Sequence, residues 1–251
     1  MKDNARQRRA GTTTGVAGAV RGGVLAGLVV VLLAGAALVY LRLSGQQLPF
    51  ERARELDRVL VVVALPDENG DVVAQCIAVA DLARGTVSSI DPSTRVTIPG
   101  TTYSSLRDAY PFGGGDGVAR AVAGLRGEEP MPWIALGPDA VFHVLGRTGQ
   151  FGVQIDEPMS VFDGERLYEF PAGIVMVGTV KDLRAVLNGS AYLSPSARRH
   201  VLESVAAGFV KAFASYKGGI GTAVEAGVIE SDLTPEEANG AARRMAGLRR
   251  E

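Results

Sequence analysis

Cysteine occurs once in this chain, at Cys76. A chain exported to an oxidising compartment with one thiol has no internal disulfide, so packing alone must hold its fold. Cys76 lies in an apolar run and reads as a small core residue rather than a reactive thiol. Histidine occurs twice, at His143 and His200, far apart. That gives no Cys/His cluster with zinc spacing and no suggestion of a Ser/His/acid arrangement. Ser88-Ser89 lacks the flanking glycines of a nucleophile elbow. Gly113-Gly114-Gly115 lacks the Gly-Lys-Ser/Thr continuation of a phosphate loop. Basic charge is sparse beyond the N-terminus. Residues 1–42 hold six basic and one acidic residue in a chain of net charge −1, so residues 43–251 carry −6. That balance argues against a nucleic-acid partner and against broad adhesion to anionic polymer.

One further absence organises the chain. Residues 22–41 contain no charged side chain and are largely apolar. At about 1.5 Å per residue they span roughly 30 Å, the hydrocarbon thickness of a bilayer. Lys2, Arg6, Arg8, Arg9 and Arg21 precede the run against Asp3 alone, while the far flank mixes Arg42, Arg52, Arg54 and Arg58 with Glu51, Glu55 and Asp57. The positive-inside bias keeps the N-terminus cytoplasmic and exports the rest. The expected organisation is a basic cytoplasmic tail at 1–21, a transmembrane helix at 22–41, a juxtamembrane linker at 42–57 and an extracytoplasmic domain at 58–251. The expectation is a single-pass plasma-membrane protein. The competing reading is a cleaved signal peptide with Ala34-Gly35-Ala36 as its small-residue site, but the apolar run is longer than the usual core of such a peptide.

Within the outer part, residues 58–64 are a β-branched apolar run and read as a buried strand. Residues 72–81 and 85–90 read as two more. An Asn69-Gly70 turn between the first two suggests a hairpin. Residues 91–117 read as a long loop rich in proline and glycine, a length uncommon in compact domains unless functional. Helices are expected at 117–125, 137–145 and 180–187, and strands at 133–136 and 153–155. Ser194 reads as an N-cap with Pro195 at N1 of a helix running to about residue 216. Its Val201, Val205, Phe209 and Phe213 form an i, i+4 core stripe. Thr234-Pro235-Glu236-Glu237 is a capping box opening a final helix to about residue 248. Strands interspersed with helices argue for a layered α/β domain.

The order of these segments resembles the LytR-CpsA-Psr family. Residues 89–100 (SIDPSTRVTIPG) look like its SIPRDTYVDIPG, and residues 106–114 (LRDAYPFGG) like INAAYAFGG. Residues 152–159 resemble GGVDVNVPEPM, Pro171-Ala172-Gly173 the PAG segment, Arg199-His200 the RQ at a helix start, and residues 229–234 the terminal TNLS. The resemblance runs from residue 58 to 248. It implies a three-layer α/β/α domain behind one membrane anchor, and transfer of glycopolymer from a polyprenyl-pyrophosphate carrier to the cell wall. The departures fall on the family's charged positions. Pro92 and Ser93 replace Arg and Asp; Asp71 and Val73 stand near an Arg-Ser-Asp; Leu187 or Asn188 replaces an arginine; Ser105 replaces a lysine. Pyrophosphate is usually held by bidentate arginines, and phosphoryl transfer depends on positioning and cationic stabilisation.

The remaining candidates are few. Arg198, by its place in the resemblance, is the first choice for a ligand contact. Arg95, Arg107 and Arg120 lie in or just after the long loop as a replacement anion site, against the alternative of solvated surface arginines. Tyr110, with Tyr103 and Phe112, is a candidate lining of a lipid or sugar groove, or pins the loop to the core. Asp67 and Asp71 are candidates for a shared Mg²⁺, needed only if the site is active, or simply solvate a turn. The leading expectation is a cell-envelope protein, catalytically degenerate, that binds a polyprenyl-linked polymer or a protein partner. The alternatives are an active glycopolymer phosphotransferase and a scaffold without ligand. Convergence of two or more arginines on one cleft would favour catalysis; an apolar tunnel would favour lipid binding.

Overall fold

The computed structural model describes residues 56–250, with side chains through Leu248. The tail, the apolar run at 22–41 and nearly all of the linker lie outside these residues. Among the described residues no helix is long and apolar enough to cross a membrane.

A mixed sheet organises the domain. Strand β1 (Arg58–Pro66) pairs antiparallel with β2 (Val72–Asp81) as the expected hairpin, from Arg58↔Asp81 to Pro66↔Val72, with a bulge between Val63 and Ala64. Strand β3 (Thr86–Ile90) adds antiparallel to β2, and β4 (Trp133–Leu136) adds parallel to β1. Side chains alternate across a strand. Accordingly Val59, Val61, Val63 and Leu65 enter one core, while Leu60 and Val62 enter the other. Burial on both faces explains why β1 reads as a continuous apolar run. Helix α1 (Ala109–Arg126) covers the smaller core through Val118, Ala119 and Val122. The larger core takes α2 (Pro138–Thr148) and, further along the chain, α3 (Val180–Ser190) and α4 (Pro195–Ser215). The three-layer α/β/α arrangement is therefore present.

Residues 151–177 form four short strands where the sequence suggests one. β5 (Phe151–Ile155) pairs with β8 (Gly173–Val177), and β6 (Met159–Phe162) pairs with β7 (Leu167–Phe170). The β6–β7 turn is closed by Asp163, whose Oδ1 accepts the backbone N–H groups of Glu165 and Arg166 at 2.9 Å each. The chain ends with α5 (Gly221–Glu225), β9 (Glu230–Ser231), α6 (Pro235–Met245) and β10 (Arg249–Arg250). The sheet order is β10-β3-β2-β1-β4-β9.

The expected loop at 91–117 is shorter than the sequence suggests. A 3-10 turn at Leu106–Asp108 leads directly into α1, which starts at Ala109. Gly113 and Gly114 interrupt that helix, and Gly114 holds φ +56° with ψ −148°, a region open in practice to glycine alone. The glycine run therefore marks a kink inside a helix. The final helix stops at Met245 rather than near residue 248.

The caps are as expected. Ser194 Oγ accepts the Ala197 N–H at 3.4 Å, and Thr234 and Glu237 form the reciprocal box. Val201, Val205, Phe209 and Phe213 are all buried. Gly208 on α4 faces the Phe151 ring so closely that an added Cβ would lie 2.2 Å from it. Gly208→Ala should therefore lower folding stability by about 1–3 kcal/mol through overpacking, although alanine is the better helix former. A denaturation curve with an unshifted midpoint would contradict this packing.

Candidate anion-binding cleft

The C-terminal ends of β1 and β3, on either side of β2, fall at the same end of the sheet, where residues from the C-terminus of α3 and the N-terminus of α4 join them. In α/β sheets this is the edge where ligands usually sit. A cavity of about 270 Å³ opens there, lined by Asp67, Gln75, Pro92, Arg107, Asn188 and Arg198 among others.

Asp67 is built into the β1–β2 turn and is buried. Its Oδ1 accepts the N–H of Asn69 at 2.9 Å and of Asp71 at 3.1 Å. Its Oδ2 accepts Arg107 Nη2 in an ion pair. Its backbone carbonyl accepts Arg184 Nη2 at 2.9 Å. Arg107 is fixed from behind as well, its N–H donating to the Pro92 carbonyl at 2.8 Å. Arg198, in the first turn of α4, lies 3.2 Å from Asp91 Oδ1 through Nη1. Gln75 donates Nε2 to the carbonyls of Leu65 and Pro66, at 3.3 and 3.0 Å, which orients its amide.

Three buried side-chain polar atoms lack a hydrogen-bond partner among the described residues: Gln75 Oε1, Arg184 Nε and Arg198 Nε. Two belong to residues lining this cavity, and the third to the arginine that holds Asp67. Buried polar groups are normally paired, so a cluster of unpaired ones at a cleft points to a ligand that completes them. Two of the three are guanidinium donors, which suit phosphate or carboxylate oxygens.

Of the candidates from sequence, Arg107, Arg198 and Asp67 meet in this cleft. Asp71 lines an adjoining cavity that shares the Asp67–Arg107 wall. Both Asp67 oxygens already hold donors, so a Mg²⁺ shared with Asp71 would have to displace Arg107. The residues as placed do not make a ready divalent site, and among the described residues no group of three metal-ligating side chains forms. Arg95 is exposed on a groove beside Arg120, and Arg120 pairs with Asp116. Tyr110 lies at the β4–β9 edge, its hydroxyl donating to Glu230 Oε1 at 3.4 Å. Neither Arg95 nor Tyr110 joins the cleft. Of the positions that depart from the family pattern, Pro92, Leu187 and Asn188 line the first cavity and Asp71, Val73 and Ser105 the second, while Ser93 lines neither.

Arg184 was not foreseen. Helical spacing was the available signal: it stands three and four residues before Leu187 and Asn188, on the same stripe of α3. Cys76 is buried, donates Sγ to the Leu202 carbonyl at 3.4 Å, and has its pKa pushed up to about 12 by burial. It is a core residue.

No protein-family model matches the sequence, and no curated protein matches it significantly. Solved structures do match. TagV of B. subtilis superposes with TM-score 0.52 at 13% identity, over 78% of this chain and 84% of TagV. TagT bound to LIIa-WTA matches with TM-score 0.51 at 15% identity, over 80% and 81%. A protein of Enterococcus faecalis described as a transcriptional regulator gives 0.52 at 17%, over 78% and 75%. TagV and TagT are LytR-CpsA-Psr wall teichoic acid enzymes. At these identities the likeness establishes a shared fold: the described domain has the LytR-CpsA-Psr architecture.

Tyr110 yields a pH prediction. Burial first, then the Glu230 carboxylate, pushes its pKa from 10.0 up to about 12. Below pH 10 folded and unfolded chains both keep the phenol proton. Between pH 10 and about 12 the unfolded chain loses it and the folded chain does not, so stability falls as pH rises through that window. Tyr110→Phe should flatten that part of a Tm-against-pH curve. An identical slope in both proteins would place the tyrosine elsewhere.

Proposed function

We propose that this protein is anchored in the plasma membrane by residues 22–41 and binds the phosphate or pyrophosphate end of a polyprenyl-linked cell-envelope glycopolymer on the outer face. The observation that carries this is that Arg107 and Arg198 line one cavity with Asp67, whose carbonyl holds Arg184, and that the buried Nε donors of Arg198 and Arg184 are unpaired among the described residues. In an outer part of net charge −6, that local cluster of cations singles out one place for an anion. The fold supports the substrate class, since the similar TagT is seen with lipid-linked wall teichoic acid. The uncharged run and its basic flank support the anchoring and the outward orientation.

Binding is favoured over transfer by the pairing within the cleft. Arg107 faces Asp67 and Arg198 faces Asp91, so little uncompensated positive charge remains to stabilise a transition state. Pro92 and Asn188 stand at the cleft without charge. The second reading, an active phosphotransferase, is favoured by the fact that Arg107, Arg198 and Asp67 do share one cavity.

Full-length protein in nanodiscs, incubated with a polyprenyl pyrophosphate and Mg²⁺, tests both. Native mass spectrometry should show bound lipid without phosphate release. Arg198→Ala removes a charge-assisted contact of about 2 kcal/mol and should weaken binding roughly thirtyfold. Phosphate release abolished by Arg198→Ala or Asp67→Ala would establish the transferase instead. Absence of binding by the wild-type protein would overturn both readings.

A further inference from the structure

The cleft offers donors through its arginines, yet one of its fixed groups is an acceptor. Gln75 lines the cavity from β2. Its Nε2 donates to the Leu65 and Pro66 carbonyls, at 3.3 and 3.0 Å. Of the two amide atoms only the nitrogen can donate to carbonyls, so these bonds settle which atom is the oxygen. Oε1 is buried, and among the described residues no donor reaches it. Arg107 and Arg198 donate to Asp67 and Asp91 instead. A buried acceptor normally has a donor, and a fully ionised phosphate ester has none to give.

The charge balance points the same way. Arg107 and Arg198 stand among the carboxylates of Asp67, Glu68 and Asp91, with Arg184 on the Asp67 carbonyl. Glu68 is kept at the cleft by Tyr192, whose hydroxyl donates to Glu68 Oε1 at 2.7 Å. The turns that carry this pair are themselves closed. Gly70 N–H donates to the Asp67 carbonyl, and Tyr192 N–H to the Gly189 carbonyl, each at 3.1 Å. With cations and carboxylates so evenly matched, a second negative charge on a ligand meets no spare cation. A phosphoryl group that keeps one proton meets both conditions, since it carries one charge fewer and presents a P–OH donor.

We propose that Gln75 makes the cleft selective for a terminal phosphoryl group in its singly protonated form. The P–OH donates to Gln75 Oε1 while Arg107 and Arg198 hold the ionised oxygens. A phosphodiester has no such proton and leaves the acceptor unpaired. The inference rests on the anion-binding reading of the cleft and extends it: a lipid carrier that ends in a bare phosphate is held more tightly than one esterified on both sides.

The test uses full-length protein in nanodiscs at about pH 5, titrated by calorimetry with phenyl phosphate and with methyl phenyl phosphate. At that pH both probes are singly charged, and only the first carries a P–OH, because a phosphate monoester loses its second proton near pH 6. Both should bind the wild-type protein, the monoester about tenfold more tightly. Gln75→Met should bring the monoester down to the affinity of the diester and change the diester less than about twofold. A second measurement needs no variant. At about pH 8, wild-type binding of phenyl phosphate should take up close to one proton, read from titrations in two buffers of different ionisation enthalpy. Equal affinity for the two probes, or binding without proton uptake, overturns the selectivity. If Arg198→Ala then still weakens both probes, the anion cleft stands without it. A wild-type protein that binds neither probe overturns the cleft and the selectivity together.

Discussion

The Asp67 carboxylate ties together elements distant in sequence. One oxygen closes the β1–β2 turn by accepting two backbone N–H groups, and the other takes Arg107 from the segment leading into α1. The same residue's carbonyl holds Arg184 of α3. A buried acid is tolerated only when paired and hydrogen-bonded, and here the carboxylate draws Arg107 to the C-terminal end of the central strand while the carbonyl of the same residue draws Arg184. Asp67, with Arg107 and Asn69, lines both the cleft and the adjoining cavity. Removing its carboxylate would leave Arg107 with only the longer contact to Asp108, at 3.7 Å, and two turn amides without their side-chain acceptor.

The electrostatic result is local. A domain that is acidic overall gathers three arginines at one edge and balances two of them with Asp67 and Asp91. On the reading proposed above, a phosphate competes with these carboxylates for the guanidinium donors of Arg107 and Arg198, the two arginines that line the cleft. That arrangement favours reversible holding over chemistry. The neighbouring cavity is lined by Asp71, Asp108, Tyr103 and Phe112 and has a more acidic and aromatic character.

Much of the fold was legible in the sequence. The β-branched run before Asn69-Gly70, the Ser194-Pro195 cap and the Thr234 capping box are local signals that tertiary packing leaves intact. The loop before α1 was read too long because Gly113 and Gly114 mimic a loop while marking a kink in the helix, followed by Gly115 packed against Trp133. Strands β6 and β7 were missed although Asp163-Gly164 between short apolar runs is a hairpin signal. At the site, Asp67, Arg107 and Arg198 were named, but so were Arg95 and Tyr110, which the fold carries elsewhere. Sequence proximity in a loop does not say which way a side chain faces. Arg184 was overlooked because its partner is a backbone carbonyl more than a hundred residues away, a contact that no local pattern encodes.

A crystal structure of the protein grown with methylene diphosphonate tests the central claim most directly. The account predicts the diphosphonate in the cleft at the end of β1, within hydrogen-bonding distance of Arg107 and Arg198. A cleft left empty while the compound binds at another surface, or Arg107 and Arg198 still held by Asp67 and Asp91 at saturating ligand, would contradict it.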